Sequence, residues 1–268
     1  MHRLHRSVLY HNRGQVLAAL GRPDEALADF GRVIEADPHY PEYRFDRGNL
    51  FFRLGRYDEA LADYAVADKL SPPFPELYYN CADVRAATGD IEGALNDFRY
   101  ALDLEPDYLE ARVTLASLLL DAGDAEAAAA QARAGLAVTP DEARLPCTLG
   151  LALLSAGDNQ AARQAFDRAL ELDPALAEAM VNRATAAYEL GDFAAAMADL
   201  DAALDADEGN PDLLLNRGLV HEAAGRPELA AADYTLALRH GQADKAALRY
   251  QLDRLPAGEK AATRALAV

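Results

Sequence analysis

A glycine recurs every 34 residues along this chain, at Gly21, Gly55, Gly89, Gly123, Gly157, Gly191 and Gly225, without a miss. Five places after each stands an alanine: Ala26, Ala60, Ala94, Ala128, Ala162, Ala196 and Ala230. A fixed period of this length marks a solenoid, in which one small supersecondary unit buries its apolar face against copies of itself. A length of 268 residues alone would suggest one or two globular domains. A stacked array grows in one dimension and needs no such division.

The glycine register gives seven repeats, 7–40, 41–74, 75–108, 109–142, 143–176, 177–210 and 211–244, each reading as helix, tight turn, helix. In the first, Ala26, Leu27, Phe30, Val33 and Ile34 keep the rhythm of one helix face. Sustained period-2 alternation is absent, so no strands are expected. The glycine suits a left-handed position closing the first helix. The alanine column suits a close crossing of the two helices. Pro38, Pro72, Pro106, Pro140 and Pro174 end the second helix, with Glu208 and Gln242 in that place in the last two repeats. Beyond the repeats, 245–256 reads as a capping helix with Leu248, Leu252 and Leu255 on one face, and 257–268 as a loose tail. The first repeat begins with Val8, Leu9, Tyr10, Val16 and Leu17 and no cap before it.

Two further columns make a family nameable. A small residue stands in each first helix at Gly14, Gly48, Ala82, Ala116, Gly150, Ala184 and Gly218. An aromatic stands in the second at Phe30, Tyr64, Phe98, Phe166 and Tyr234, with Ala132 and Leu200 as departures. With the period, this pattern resembles the tetratricopeptide repeat. The resemblance covers residues 7–244 and implies an all-α, right-handed α-solenoid of seven helix–turn–helix repeats with a C-terminal capping helix. It also implies that the first helices line a concave, peptide-binding groove. In such a groove the sixth place of each repeat forms an asparagine ladder along a peptide backbone; here it reads Asn12, Asp46, Asn80, Thr114, Thr148, Asn182 and Asn216. An amide suits that task, offering donor and acceptor together, although an asparagine there can also simply meet water. The family's carboxylate clamp needs lysines in these helices, and they have none.

Around the ladder, Phe45, Asn49, Phe52, Tyr79 and Asp83 supply apolar and polar groove positions. Val113, Leu120, Cys147, Leu151 and Leu154 form a smoother apolar strip further on. Glu42 and Glu76 begin an acidic edge, continued by Glu110, Glu178 and Asp212 and interrupted by Arg144. An acid in a first turn also complements the helix dipole, which accounts for the edge without any ligand. The expected ligand is an extended protein segment with an apolar anchor beside Lys or Arg, binding across the first three repeats.

Charge and composition exclude other classes. A net charge of −18 argues against nucleic acid as a partner. Up to Arg56 nine arginines face seven acids, and the remainder carries 17 basic against 37 acidic residues. No stretch approaches the ~20 apolar residues that span a bilayer, and no signal peptide is visible. Two cysteines, Cys81 and Cys147, form no disulfide framework, so a reduced, cytoplasmic protein is expected. His221-Glu222 opens like a zinc-protease motif, but Gly225 stands where the second histidine belongs. His2, His5 and His11 could gather at a frayed end. With no nucleophile, metal or phosphate motif, the chain reads as non-catalytic, without cofactor or metal: a scaffold or adaptor. Two alternatives stay open: an accessory module docking through its uncapped N-terminal face, including self-association there, and one presenting a substrate peptide to a separate enzyme.

One pairing tests the register. Repeats with arginine at the seventh place (Arg13, Arg47, Arg183, Arg217) carry aspartate sixteen residues on (Asp29, Asp63, Asp199, Asp233). Where Leu115 or Leu149 replaces the arginine, Gln131 or Ala165 replaces the aspartate. Ion pairs bridging the two helices are therefore expected. The third repeat breaks the rule with Cys81 and Asp97.

Overall fold

The structure, a computed structural model, describes residues 2–240 and 245–255, with side chains from Ser7 onward. The tail at 257–268, Gln242 and the side chains of His2 and His5 lie outside the described residues. Within them, every regular element is an α-helix. The chain forms two compact units, one ending at Leu118 and the other beginning at Leu119.

The N-terminal unit holds α1 (His2–Ala19), α2 (Pro23–Ala36), α3 (Pro41–Arg53), α4 (Tyr57–Leu70), α5 (Pro75–Thr88), α6 (Ile91–Leu104) and most of α7 (Leu109–Asp121). The C-terminal unit holds α8 (Ala125–Val138), α9 (Arg144–Ser155), α10 (Asn159–Leu172), α11 (Ala177–Glu189), α12 (Phe193–Ala206), α13 (Pro211–Ala223), α14 (Pro227–Arg239) and α15 (Lys245–Arg254). Within each unit sequential helices pack as hairpins, α1 with α2, α3 with α4, and so on.

The turn chemistry explains the glycine period. After α3 the Gly55 N–H donates to the Phe52 carbonyl and the Arg56 N–H to the Phe51 carbonyl, both at 2.9 Å. These are the two bonds of a Schellman motif, which satisfy carbonyls left over at a helix end. Gly55 sits at φ +71°, where a Cβ is penalised. The same bonds recur at the other six column glycines, all between φ +71° and +84°. The next residue then starts the second helix. Asp90, Asp124, Asp158 and Asp192 each accept from the backbone N–H three places on, at 3.0–3.1 Å. Each such cap contributes about 1 kcal/mol. In the first two repeats Arg22 and Arg56 occupy that place and bond instead to the side chains of Glu25 and Glu59.

Packing explains the other columns. The seven column alanines are wholly buried. A second close approach lies where the small residue of the first helix faces the aromatic of the second. A Cβ added to Gly48 would come 2.5 Å from the Tyr64 ring, and Gly14, Gly150 and Gly218 face Phe30, Phe166 and Tyr234 in the same way.

All four expected Arg–Asp pairs form, each bidentate: Arg13–Asp29 (2.6 and 2.7 Å), Arg47–Asp63 (2.6 and 2.8 Å), Arg183–Asp199 (2.8 and 2.6 Å) and Arg217–Asp233 (2.9 and 2.7 Å). The four aspartates are buried. In the third repeat Asp97 takes its bond from Arg85, which lies further along α5 than the usual arginine would.

The two ends of the described chain differ. At the C-terminal end Leu248 of α15 and Leu255 just after it are buried, with Leu252 half-buried, in one cluster with Ala231 and Tyr234 of α14. On α1, Leu9 is 68% and Val16 56% exposed, whereas their repeat equivalents Leu77 and Val84 are 1% and 0% exposed. In the second repeat the equivalent of Leu9, Tyr43, is covered by Val33 and Ile34 of the preceding α2.

Candidate functional site

The N-terminal unit carries a cleft of about 440 Å³ on its first helices. Gln15 of α1, Asp46, Asn49, Phe52 and Arg53 of α3, and Asn80 of α5 line it, with Phe30 beneath. Asp46, Asn49 and Arg53 share a face because they lie three and four residues apart on one helix. Asp46 Oδ2 accepts from Gln15 Nε2 at 2.7 Å and lies 2.6 Å from His11 Nε2. The Asn49 Oδ1 accepts from the Tyr64 hydroxyl at 2.7 Å and from Asn80 Nδ2 at 2.8 Å. Among the described residues, the other half of each amide has no partner: Asn49 keeps a donor and Asn80 an acceptor. That combination matches one peptide carbonyl and one peptide N–H. Buried Tyr64 orients the pair from below.

Beside it on α5, the Tyr79 ring sits edge-on to Phe98 (5.6 Å between ring centroids) and tilted against Tyr108 (5.4 Å). Burial pushes the Asp83 carboxyl up to about 6. Burial likewise raises the Tyr79 hydroxyl.

The sequence-derived positions separate into three groups. Asp46, Asn49, Phe52 and Asn80 converge on the cleft, with Tyr79 and Asp83 on the same helix as Asn80. Phe45 packs inward, its ring 5.9 Å from Tyr64 and 5.2 Å from Phe74, so it is largely given over to holding the repeat together. Glu42 and Glu76 are exposed in the first turns of α3 and α5. Asn12 is exposed on α1. In the C-terminal unit Asn182 donates to the Glu178 carbonyl of its own helix at 2.8 Å, and the Thr148 hydroxyl likewise to Arg144. Cys147 is buried, and the apolar surroundings push its thiol up to about 12. Among the described residues no cluster of three His, Cys, Asp or Glu side chains could hold a metal ion, and no helix is long and apolar enough to cross a membrane.

Sequence reasoning missed His11 and Gln15 as partners of Asp46. It also missed a second cleft, in the C-terminal unit, of about 210 Å³, between α11 and α13. Of its lining residues, Asn216 alone had been singled out for the groove.

Models of the tetratricopeptide repeat match residues 11–73, 147–211 and 182–247, and a second such model matches 85–145. The chain belongs to the tetratricopeptide repeat family. No curated protein matches its sequence. Among solved structures, this tetratricopeptide repeat chain is similar to a tetratricopeptide repeat protein from Parabacteroides merdae, at TM-score 0.72 and 21% identity over 93% of this chain and 98% of that one. It is also similar to PilF of Pseudomonas aeruginosa, at TM-score 0.65 and 16% identity over 80% and 97% of the two chains. A third is YrrB, described as a tetratricopeptide protein with an unusual peptide-binding site, at TM-score 0.54 and 22% identity over 64% and 88%. At these identities the likeness is one of fold: an all-α helical-repeat solenoid.

Proposed function

We propose that the protein is a non-catalytic scaffold or adaptor that holds an extended segment of a partner protein in the N-terminal cleft. The observation that carries this reading is the Asn49–Asn80 amide pair, which offers one oriented donor and one oriented acceptor at the surface of a cleft. Half-buried Phe52 supplies an apolar wall. Arg53 balances Asp46 in the cleft itself, and exposed Glu42 and Glu76 in the first turns of α3 and α5 favour a segment carrying Lys or Arg beside its apolar anchor. Both cysteines are free thiols, in keeping with a reducing cytoplasm.

Fluorescence anisotropy with two labelled peptide pools tests this, one with Lys and Arg flanking Leu or Phe, the other with Asp and Glu in their place. The cationic pool binds tighter, and Phe52→Ala weakens it by about 1–2 kcal/mol through faster dissociation. Equal binding of the two pools, or a folded Phe52→Ala variant that binds unchanged, contradicts the reading.

A second reading rests on α1. Leu9 and Val16 occupy positions that in the second and third repeats are covered by the preceding repeat. Such a face fits the apolar side of an amphipathic helix, supplied by a larger assembly or by a second copy. Light scattering across a concentration series, with Leu9→Glu as control, separates a second copy from a foreign helix.

A further inference from the structure

We propose that the face of the C-terminal unit built by the second helices α10, α12 and α14 docks a basic amphipathic helix of a partner protein, whose Lys or Arg side chains enter two clefts one repeat apart. The clefts measure about 520 and 670 Å³ and lie on either side of α12. Leu170, Met180 and Ala202 line the first beside Asp167 and Glu171. Leu204, Leu214 and Leu236 line the second beside Asp201, Asp205 and Glu208. In each, two carboxylates share one guanidinium: Arg183 donates to Asp199 and Asp167, and Arg217 to Asp233 and Asp201. Of the other acids, Glu171 accepts from Arg168 at 3.2 Å. Asp205 and Glu208 are exposed and have no ion-pair partner among the described residues.

The N-terminal repeats show which charge belongs in this register. Asp29 and Asp63 correspond to Asp199 and Asp233. Arg32, in the place of Ala202 and Leu236, donates to Asp29 at 3.0 Å. Arg44, in the place of Met180 and Leu214, donates to Asp63 at 3.1 Å. In the third repeat the same two places hold Tyr78 and Tyr100, whose rings meet edge-on at 4.4 Å. The C-terminal clusters instead gain a carboxylate, Asp167 or Asp201, where the first two repeats have Gly31 and Ala65. They are left short of a cation, with apolar side chains where those arginines stand. A Lys or Arg from outside matches both features, its head on the carboxylates and its aliphatic stem along the leucines.

The linings also select the conformation of the partner. They hold no amide or hydroxyl side chain, and all three nitrogens of Arg183 and of Arg217 already donate to carboxylates. An extended backbone finds little there for its carbonyls, whereas a helix satisfies its own. Packed helices lie about 8–10 Å apart, and residues seven apart on a helix are about 10.5 Å apart, so one stripe with that spacing reaches both clefts. The site is separate from the paired amides of the N-terminal cleft, and either can fail without the other.

The test titrates the full chain, with its methionine methyls labelled, with a peptide helix of about 18 residues built from Ala and Leu and carrying Lys every seventh residue on one stripe. One control peptide has Glu in place of Lys; the other keeps the composition but is broken by a central Pro. The Lys helix shifts the Met180 methyl saturably and binds several-fold tighter than either control, and added salt weakens it. Asp205→Asn with Glu208→Gln, both at exposed positions, weakens it several-fold, and so does Leu236→Ser in the exposed wall of the second cleft. An unmoved Met180 methyl, equal binding of the Glu or Pro-broken peptide, or undiminished binding by both variants overturns the proposal. Loss of binding on Phe52→Ala also overturns it, since the peptide then lies in the N-terminal cleft. So does a Met180 shift that follows protein concentration without peptide, which makes a second copy the occupant.

Discussion

The two units solve one electrostatic problem in opposite ways. In the N-terminal unit each buried aspartate gathers two arginines: Asp29 takes Arg13 and Arg32, and Asp63 takes Arg47 and Arg44. In the C-terminal unit each arginine gathers two aspartates, one from its own repeat and one from the repeat before. Arg183 holds Asp199 and Asp167, and Arg217 holds Asp233 and Asp201. The clusters therefore carry a surplus positive charge in one unit and a surplus negative charge in the other, matching the arginine-rich start and acidic remainder of the chain. The clefts diverge in the same register. His11, Gln15, Asp46 and Asn49 of the first correspond, 170 residues on, to Val181, Thr185, Asn216 and Leu219 of the second. The floor changes from Phe30 to Leu200. One backbone grammar thus yields a polar cleft over an aromatic floor and a more apolar cleft over an aliphatic one.

The largest expected effect is a difference between arginines. Arg217→Ala leaves a buried Asp233 beside Asp201 with no guanidinium between them, and costs about 3–5 kcal/mol. Arg47→Ala leaves Asp63 still bonded to Arg44 at 3.1 Å and costs about half as much. Urea denaturation of the two variants reads the ordering, and equal losses would break the contrast drawn above.

Next comes the floor of the clefts. Gly48→Ala forces a Cβ into the buried Tyr64 ring and destabilises by about 1–2 kcal/mol, overpacking outweighing the gain in helix propensity. Ala184 already carries that methyl over Leu200, so Leu200→Phe sets a ring against a Cβ in a packed cluster and destabilises by a similar amount. A neutral Gly48→Ala would show that the ring can move aside.

These contrasts also mark how far the sequence could be read. The Arg–Asp bridges were legible because both partners vary together between repeats, and the turn glycines because a left-handed position tolerates little else. The bridge in the third repeat was hidden: Arg85 reaches Asp97 from outside the seventh place. Asp167 and Asp201 were hidden too, since their bonds cross between repeats at a column that elsewhere holds Gly31, Ala65, Arg99, Arg133 and Thr235. The capping aspartates stand directly after the turn glycine and could have been read from helix-start chemistry alone. Phe45 and Phe52 both pack partly against one core cluster, which a groove-side register does not reveal. Leu200 was visible as a departure, but only the packed neighbours show that it fills the aromatic's place in the core.

A smaller effect tests the polar character of the N-terminal cleft. Because burial raises the folded-state Asp83 above an unfolded aspartate near 3.9, the folded chain holds that proton more tightly between about pH 4 and 6. This contribution to stability is greatest below the window and falls as pH rises through it. Asp83→Asn flattens the slope and gains roughly 1 kcal/mol at pH 7, discounted for partial exposure. Melting curves at pH 4, 5, 6 and 7 show it, and an unchanged slope removes Asp83 from the account. Smallest of all, Glu42→Gln with Glu76→Gln lowers the salt-sensitive on-rate of a cationic peptide and leaves its off-rate almost unaltered; stopped-flow at two salt concentrations separates the two rates.

The central claim is that the Asn49–Asn80 pair holds a peptide backbone. Side-chain amide NMR of the full chain, titrated with an extended Lys-Leu-Lys-Phe-type peptide, tests it most directly. The account predicts saturable shifts of the Asn49 and Asn80 side-chain NH₂ signals, with Asn182, which is bonded within its own helix, unmoved. Peptide binding that leaves the Asn49 and Asn80 amides unshifted, or an acidic peptide that moves them more, contradicts it.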